Sequence, residues 1–243
     1  MTSNKIKFVW ENKVFSISNP DPNETILNYV RLKLKKTGTK EGCAEGGCGA
    51  CTVVLGELEN NKIIYKAINS CISFVPSLEG KQLILVEDLA LKNGKLHSIQ
   101  DAMIKYHGSQ CGFCTPGFVM SLFAMYKNFS TYKDENIKDS ISGNLCRCTG
   151  YRSIVDAAKS LNNVSRSDQF HQNIKKTLNL LKKIHSENLS LKNGNKKYFS
   201  PKNINDLKKV IQDNPNSTFL SGGTDLSLNV TKERKEINNI ISL

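Results

Sequence analysis

The residues of this chain that could do chemistry are its eight cysteines, which fall into two groups of four. In the first quartet, three cysteines share one short stretch and a fourth follows later: Cys43, Cys48, Cys51 and Cys71. The second quartet consists of two close pairs from separate stretches: Cys111, Cys114, Cys146 and Cys148. Because thiolates are strong ligands for zinc and for iron–sulfur clusters, two such sets predict two metal centres.

The spacing of the first quartet is typical of plant-type [2Fe–2S] sites, which have the pattern Cys-x4-Cys-x2-Cys followed by a distant cysteine. Gly42, Gly46, Gly47 and Gly49 are interleaved with or adjacent to these cysteines and would let the backbone wrap closely around a cluster. A structural zinc site usually shows two short cysteine pairs, so zinc is the weaker alternative, as are buried thiols without a metal. Electron transfer is therefore the leading hypothesis.

The spacing of the second quartet leaves zinc, an iron–sulfur cluster and a redox dithiol open. A thioredoxin-like use of Cys111 and Cys114 would need a βαβ context and would leave the other pair unused. Thr115 and Pro116 predict the start of a helix directly after Cys114, where the helix dipole favours negative charge. Spacing alone does not decide between these sites.

The cysteines are positioned by two stretches of different character. Residues 1–80 predict a strand hairpin (6–10 and 14–17), a helix (25–34) and two further strands (52–58 and 63–68), which form a small mixed sheet crossed by one helix. Residues 81–163 begin with a strand-like run and then show helical spacing over 98–106, 116–127 and 151–161. The fold class predicted from this pattern is α+β.

The rest of the chain divides at about residue 197. Residues 164–196 are rich in Lys and Asn and predict a linker that contains an amphipathic helix over 171–184. Residues 197–243 predict a helix over 204–212 and a short strand over 218–220, which runs into a glycine-containing loop. We therefore expect a third, smaller unit at this end.

Composition argues against several function classes. Much of the net charge of +12 lies in lysines after residue 170, whose neighbours are mainly Asn, Ser and Leu rather than interleaved aromatic residues, so we do not expect nucleic-acid binding. The basic surface is interpreted as solvated, or as a contact with an acidic partner subunit.

We expect no signal peptide and no membrane span, because no long apolar run occurs. Reduced thiols fit the cytoplasm, which is the expected location.

Several blocks together resemble the molybdenum hydroxylases, the family of xanthine dehydrogenases and aldehyde oxidases. The blocks follow the family's order and read TKEGCAEGGCGACTVV, NSCISFVPSLEG, LHSIQ, SQCGFCTPGFVM and SGNLCRCTGY. The organisation is most similar to the small subunit of bacterial xanthine dehydrogenases, which joins iron–sulfur domains to a flavin domain. Small subunits of carbon monoxide dehydrogenases and aldehyde oxidoreductases share the first part and remain an alternative, as does a zinc-binding structural module.

The resemblance implies two [2Fe–2S] clusters, one held by each quartet. The first quartet would lie in a β-grasp, ferredoxin-like domain (1–80) and the second in an all-α four-helix domain (81–163). Gln110 matches the position whose side chain approaches the molybdopterin of a large partner subunit. Electrons would pass from that molybdenum centre through both clusters to FAD and NAD, so the chain itself would carry no catalytic residue.

The resemblance also implies that residues 197–243 begin an α+β FAD-binding domain. The segment similar to the family's diphosphate loop comprises Phe219, Leu220, Ser221, Gly222, Gly223, Thr224 and Asp225. Glycines after a strand let backbone N–H groups approach phosphates closely. Residues 197–243 are too few to enclose a dinucleotide. We therefore expect the chain to be truncated in this domain, to bind FAD poorly alone, and to need the remainder of the domain as a partner.

Overall fold

The computed structural model describes residues 4–91, 93–185 and 188–243. A five-stranded sheet with the order β2-β1-β5-β3-β4 organises the first part of the chain. Its strands are β1 (Lys5–Trp10), β2 (Lys13–Ser18), β3 (Thr52–Glu59), β4 (Lys62–Asn69) and β5 (Gln82–Ile84). Helix α1 (Ile26–Asn28) continues as a π-helical turn (Tyr29–Lys33). The predicted mixed sheet with one helix is thus confirmed.

Two tight turns adjoin the strands of this sheet. Glu11 and Asn12 join β1 to β2 with φ values of 47° and 57°, and paired positive φ values suit the right-handed twist of a hairpin. A 3-10 turn (Val86–Asp88) follows β5 and is held by Asp88, whose Oδ2 accepts from Trp10 Nε1 at 3.0 Å and from Leu85 N at 2.7 Å. Burial raises the pKa of the Asp88 carboxyl to about 6, although both hydrogen bonds act in the opposite direction.

The second part of the chain is helical. Its helices are α2 (Ser98–Lys105), α3 (Thr115–Asn128), α4 (Asp134–Ile141) and α5 (Arg152–Ser160), and a 3-10 turn (Leu161–Asn163) follows. Every residue of α3 from 117 to 126 is buried, because α4 covers one side of this helix and strands β3 and β4 cover another. The sequence predicted three of these helices, and α4 was missed because only Ile137 and Ile141 of this helix are buried apolar residues.

The sheet and the helices share one apolar core. Tyr65 of β4 stacks edge-on against Phe123 of α3, with their ring centroids 6.0 Å apart. Near this contact, the Asn128 amide donates to Tyr65 O at 2.6 Å and accepts from Tyr65 N at 3.1 Å, as a neighbouring strand would. The two cysteine-bearing units are therefore packed against each other along β4 and α3.

The third unit is a four-stranded sheet with the order β6-β7-β9-β8. It consists of β6 (Leu189–Asn193), β7 (Lys196–Ser200), β8 (Thr218–Leu220) and β9 (Asn239–Ser242), with helices α8 (Ile204–Asp213) and α9 (Leu228–Thr231) between strands. The strand and the helix predicted here from the sequence are present. Within the described residues, none of the helices is long and apolar enough to cross a membrane.

The segment 164–196, predicted as a linker, is largely structured. It contains α6 (Gln169–Gln172), α7 (Ile174–Ile184) and strand β6, so the second sheet begins at Leu189 rather than after residue 196. Five of the eight residues from 190 to 197 are lysine or asparagine, which is why the composition of this hairpin resembles a linker. The overlooked signal is the Asn193-Gly194 turn between Leu191 and Tyr198, two buried residues that face each other across the hairpin.

A buried polar network attaches the segment after α5 to the helices. Asp168 accepts from Lys127 Nζ at 3.1 Å and lies 3.1 Å from His97 Nε2, and it also caps α6 through His171 N at 2.7 Å. Burial alone would raise the pKa of Asp168, but His97 and Lys127 outweigh it and lower that pKa. His97 caps α2 as well, through its Nδ1 atom and Ile99 N.

Candidate metal centres

The first quartet lies at one end of the β3–β4 hairpin. Cys51 directly precedes β3 and Cys71 follows shortly after β4, and the register that pairs Thr52 with Asn69 brings these two cysteines to the same end. Ser70 Oγ donates to Cys51 O at 2.6 Å and fixes this approach. Both thiols are buried, whereas Cys43 and Cys48 are partly exposed in the preceding loop.

The thiols of the first quartet influence each other's pKa in pairs. The interaction between Cys51 and Cys71 lowers the pKa of Cys51 to about 7 and raises the pKa of Cys71. Cys43 and Cys48 form a second such pair, and a charge on Cys43 acts on Cys71 as well. One thiol of each pair therefore ionises more readily than a free cysteine, and thiolates are the form that binds metals.

Backbone N–H groups of the loop point at one of these sulfurs. Cys43 Sγ accepts from Glu45 N at 3.5 Å, from Gly47 N at 3.3 Å and from Cys48 N at 3.4 Å. Burial raises the pKa of Cys43, but these hydrogen bonds and the Cys48 thiol outweigh it, so the net pKa is lowered. The loop is held to the hairpin by Asn69, whose Nδ2 donates to Gly46 O at 2.7 Å.

The second quartet lies where three helices meet. Cys111 and Cys114 directly precede α3, and Cys146 and Cys148 lie in the loop between α4 and α5. The Cys111 thiol raises the pKa of Cys148, and Cys111 and Cys146 both contribute to the raised pKa of Cys114, which indicates that these thiols lie near one another. Burial, followed by the Cys146 thiol, raises the pKa of Cys114 to about 12. The structure thus brings together all four residues that the sequence assigned to this site.

Two residues that the sequence interpretation did not single out support Cys146. Thr149 donates its backbone N–H to Cys146 Sγ at 3.4 Å and holds its hydroxyl oxygen 3.1 Å from the same sulfur. Burial raises the pKa of Cys146, but the Thr149 hydrogen bonds help to lower it overall. Tyr151 OH accepts from Cys146 N at 2.9 Å. A threonine and a tyrosine directly after the cysteine pair were the available signal.

The second quartet is the more exposed of the two. Cys111 and Cys148 are exposed, whereas Cys51 and Cys71 of the first quartet are buried. Gln110 lies beside Cys111 and is exposed. Phe113 and Leu145, which flank these cysteines, are 48% and 57% exposed. The edge of this site therefore combines exposed thiols with exposed apolar side chains.

The two quartets are joined by an unusually close backbone contact. A Cβ atom placed on Gly117, in the first turn of α3, would lie 2.1 Å from Gly49 O in the loop of the first quartet. A Cβ atom on Gly49 would lie 2.3 Å from Gly143 O, and Gly49 has a φ of +69°. Both positions therefore require glycine, and the loop of each quartet rests against the other unit.

The segment predicted to be a diphosphate loop lies beside the first quartet. Phe219 and Leu220 end strand β8, and exposed Ser221, Gly222, Thr224 and Asp225 surround buried Gly223. Just beyond, Ser227 Oγ donates to Ile72 O at 2.7 Å, next to Cys71, and Ser227 is fully buried. The loop is thus held close to a cysteine of the first quartet.

The two cysteine sites fit a binuclear cluster. Among the described residues, no group of three or more His, Cys, Asp or Glu side chains is arranged to hold a metal ion, and the thiols of each quartet influence each other's pKa two by two. A [2Fe–2S] cluster takes four cysteine thiolates, two on each of its irons. The loop is also tight enough, because a Cβ atom on Gly42 would lie 2.8 Å from Cys48 Sγ.

Comparisons with known proteins agree with this arrangement. A family model described as a 2Fe-2S iron-sulfur cluster binding domain matches residues 9–76, and one described as a [2Fe-2S] binding domain matches residues 85–159. A xanthine dehydrogenase of Blastobotrys adeninivorans is 50% identical over 161 residues, which are 65% of this chain and 11% of that protein. The chain spans only 11% to 13% of the length of such curated relatives.

Solved structures of molybdenum hydroxylases have a similar fold. Quinoline 2-oxidoreductase from Pseudomonas putida 86 matches with a TM-score of 0.53 and 27% identity, over 74% of this chain and 96% of that chain. Aldehyde oxidoreductase from Desulfovibrio desulfuricans matches with a TM-score of 0.59 and 29% identity, over 72% of this chain and 18% of that chain. The predicted α+β fold class is confirmed, and the chain belongs to the molybdenum hydroxylase family, with two [2Fe–2S]-binding domains.

Proposed function

We propose that this chain is the electron-transfer part of a molybdenum hydroxylase of the xanthine dehydrogenase type. The observation that carries the proposal is that each quartet lies within a matched [2Fe–2S] domain model, Cys43 to Cys71 within residues 9–76 and Cys111 to Cys148 within residues 85–159, and that the thiols of each quartet influence each other's pKa two by two. Cys43, Cys48, Cys51 and Cys71 would hold one cluster, and Cys111, Cys114, Cys146 and Cys148 the other. When bound, each cluster supplies reversible one-electron chemistry.

The chain's own residues would bind, shield and tune these clusters. The N–H groups of Glu45, Gly47 and Cys48 point at Cys43 Sγ, and Thr149 and Tyr151 contact Cys146. Hydrogen bonds to the sulfurs and solvent exposure are the means by which proteins set a cluster's potential. Since the first quartet is more buried and the second more exposed, the two sites should differ in potential.

The placement of the two sites supports a direction for the electrons. The exposed edge beside Gln110 would face the molybdopterin of a large partner subunit, where the substrate would be oxidised. The loop over 219–225, held next to Cys71 through Ser227, would lie on the FAD side of the path toward NAD. Residues 1–80 and 81–163 would form the two cluster domains, and residues 197–243 would belong to the FAD-binding domain.

The proposed location is the cytoplasm. The proposal rests on the use of all eight cysteines as metal ligands, because a reducing compartment keeps cysteines available for metal binding.

Co-purification tests the proposed assembly. We expect the chain, expressed with a tag in its native host, to retain a large molybdenum-containing chain, and the purified complex to reduce its clusters when an oxidisable heterocycle or aldehyde is added. A complex without molybdenum would contradict the proposed function. Titration of the chain alone with FAD gives a second check, because micromolar binding would show that the residues present suffice for the flavin.

A further inference from the structure

A backbone hydrogen bond connects the two cysteine sites. Leu145 N donates to Cys48 O at 2.9 Å. Cys48 belongs to the first quartet, and Leu145 directly precedes Cys146 of the second. Covalent and hydrogen bonds therefore lead from Cys48 Sγ along its own side chain and carbonyl, across to Leu145, and on to Cys146 Sγ.

The side chain of Asn144 clamps the two loops beside this hydrogen bond. Its Nδ2 donates to Gly49 O at 3.0 Å and to Thr52 Oγ1 at 3.3 Å, and its Oδ1 accepts from Ser121 Oγ at 2.6 Å. Asn144 is only 3% exposed, so water does not compete for these partners. The first loop is thus held at two successive carbonyls. The N–H of Leu145 binds the Cys48 carbonyl, and the side chain of Asn144 binds the Gly49 carbonyl.

We infer that Asn144 is a positioning residue that holds the Cys48–Leu145 hydrogen bond, and that this bond is part of the route by which electrons pass between the two sites. The inference rests on the proposed function. Electronic coupling falls off more slowly through covalent and hydrogen bonds than through empty space. One electron leaves one site and arrives at the other, and no bond is formed or broken and no proton is transferred.

The structure provides a matched control for this residue. Asn128 makes the same kind of two-point amide contact between the same two units, with Tyr65 N and O as its partners. It lies at the far end of α3 from Cys114, about 20 Å along a helix of 14 residues at roughly 1.5 Å per residue. Asn128→Asp removes an equivalent donor from the same interface but leaves the link between the cysteine loops intact.

The test compares Asn144→Asp with Asn128→Asp in the cluster-loaded chain. Two quantities are measured: the hydrogen–deuterium exchange rate of the Leu145 amide, and the rate at which electrons redistribute between the two EPR signals after rapid partial reduction by dithionite. Asn144→Asp should speed exchange at Leu145 and slow redistribution several-fold. Asn128→Asp should change neither rate, although it also weakens the interface.

Equal redistribution rates in the two variants, with both EPR signals intact, would overturn the inference. If Asn144→Asp does not retain both clusters, replacing Leu145 by its α-hydroxy analogue removes the N–H donor alone, and the same slower redistribution is expected. A wild-type chain that binds no cluster would refute the proposed function instead. In that case the exchange rate of the Leu145 amide still tests whether Asn144 holds the hydrogen bond.

Discussion

Replacing Gly117 with alanine tests the close contact between the two cysteine sites. Gly117 lies in the first turn of α3, where alanine would ordinarily stabilise a helix by up to about 1 kcal/mol relative to glycine. Here the added Cβ would lie 2.1 Å from Gly49 O and 3.1 Å from Asn144 Nδ2. Carbon–oxygen contacts are normally no closer than about 3.3 Å, so the loop of the first quartet would have to move by roughly 1 Å.

The cost of this movement should exceed the gain in helix propensity. Overpacking costs about 1–3 kcal/mol, and each of the two hydrogen bonds from Asn144 and Leu145 to the displaced loop contributes about 1 kcal/mol. After subtraction of the helix term, Gly117→Ala should lower the free energy of unfolding by about 2–4 kcal/mol. For a chain of this size that corresponds to a fall in Tm on the order of 10 °C.

The assay is thermal unfolding of the cluster-loaded protein, followed both by far-UV circular dichroism and by the visible absorption of the clusters. Gly143→Ala is the matched control, because a Cβ atom at Gly143 meets nothing within 4 Å, and its stability should change by less than about 0.5 kcal/mol. A Gly117→Ala protein as stable as the wild type, or more stable, would refute the close contact between the two units.

Three further predictions concern single side chains. Cys43→Ser should abolish one EPR signal and Cys146→Ser the other, each with a loss of about two irons, and loss of both signals in either variant would contradict separate sites. Burial raises the pKa of Asp88 to about 6, so the folded state favours the protonated carboxyl more than the unfolded state does. The contribution of Asp88 to the free energy of unfolding is therefore full below about pH 4 and is lost as the pH rises through 6. Asp88→Asn should therefore flatten that part of the stability profile by up to about 3 kcal/mol in denaturation measured from pH 4 to 7, and an unchanged slope would show that Asp88 is not responsible. Ser227→Ala should leave Ile72 O without its buried donor at a cost of about 1–3 kcal/mol and speed proteolytic cleavage near residue 227, whereas unchanged cleavage would place the loop elsewhere.

Local patterns predicted much of the fold. The β1–β2 hairpin, the β3–β4 pair and helix α3 each have a periodicity and a turn that identify them without tertiary information. The β6–β7 hairpin was not predicted because its lysine and asparagine content is typical of a linker. The signals for a hairpin are Leu191 and Tyr198, which pair across it, and the Asn193-Gly194 turn between them. Helix α4 buries too few apolar residues to be recognised by spacing.

The cysteine sites were predictable as sets but not as pairs. The spacing and glycine content around Cys43 indicated a [2Fe–2S] site directly. Spacing did not separate zinc from iron for the second quartet, and it did not indicate that Cys111 would influence the pKa of Cys148, since that depends on how α3, α4 and α5 pack. The role of Asn144 was not predictable either, because its partner Gly49 lies in the other unit. In the sequence alone, an asparagine shortly before a cysteine pair resembles a turn residue.

Iron analysis combined with EPR spectroscopy tests the central claim most directly. The chain is purified without oxygen, or reconstituted with iron and sulfide, and then reduced with dithionite. Two [2Fe–2S] sites predict about four iron atoms and about four acid-labile sulfides per chain, with two distinguishable EPR signals. Zinc in place of iron, or about two irons with a single signal, would contradict the assignment of one cluster to each quartet.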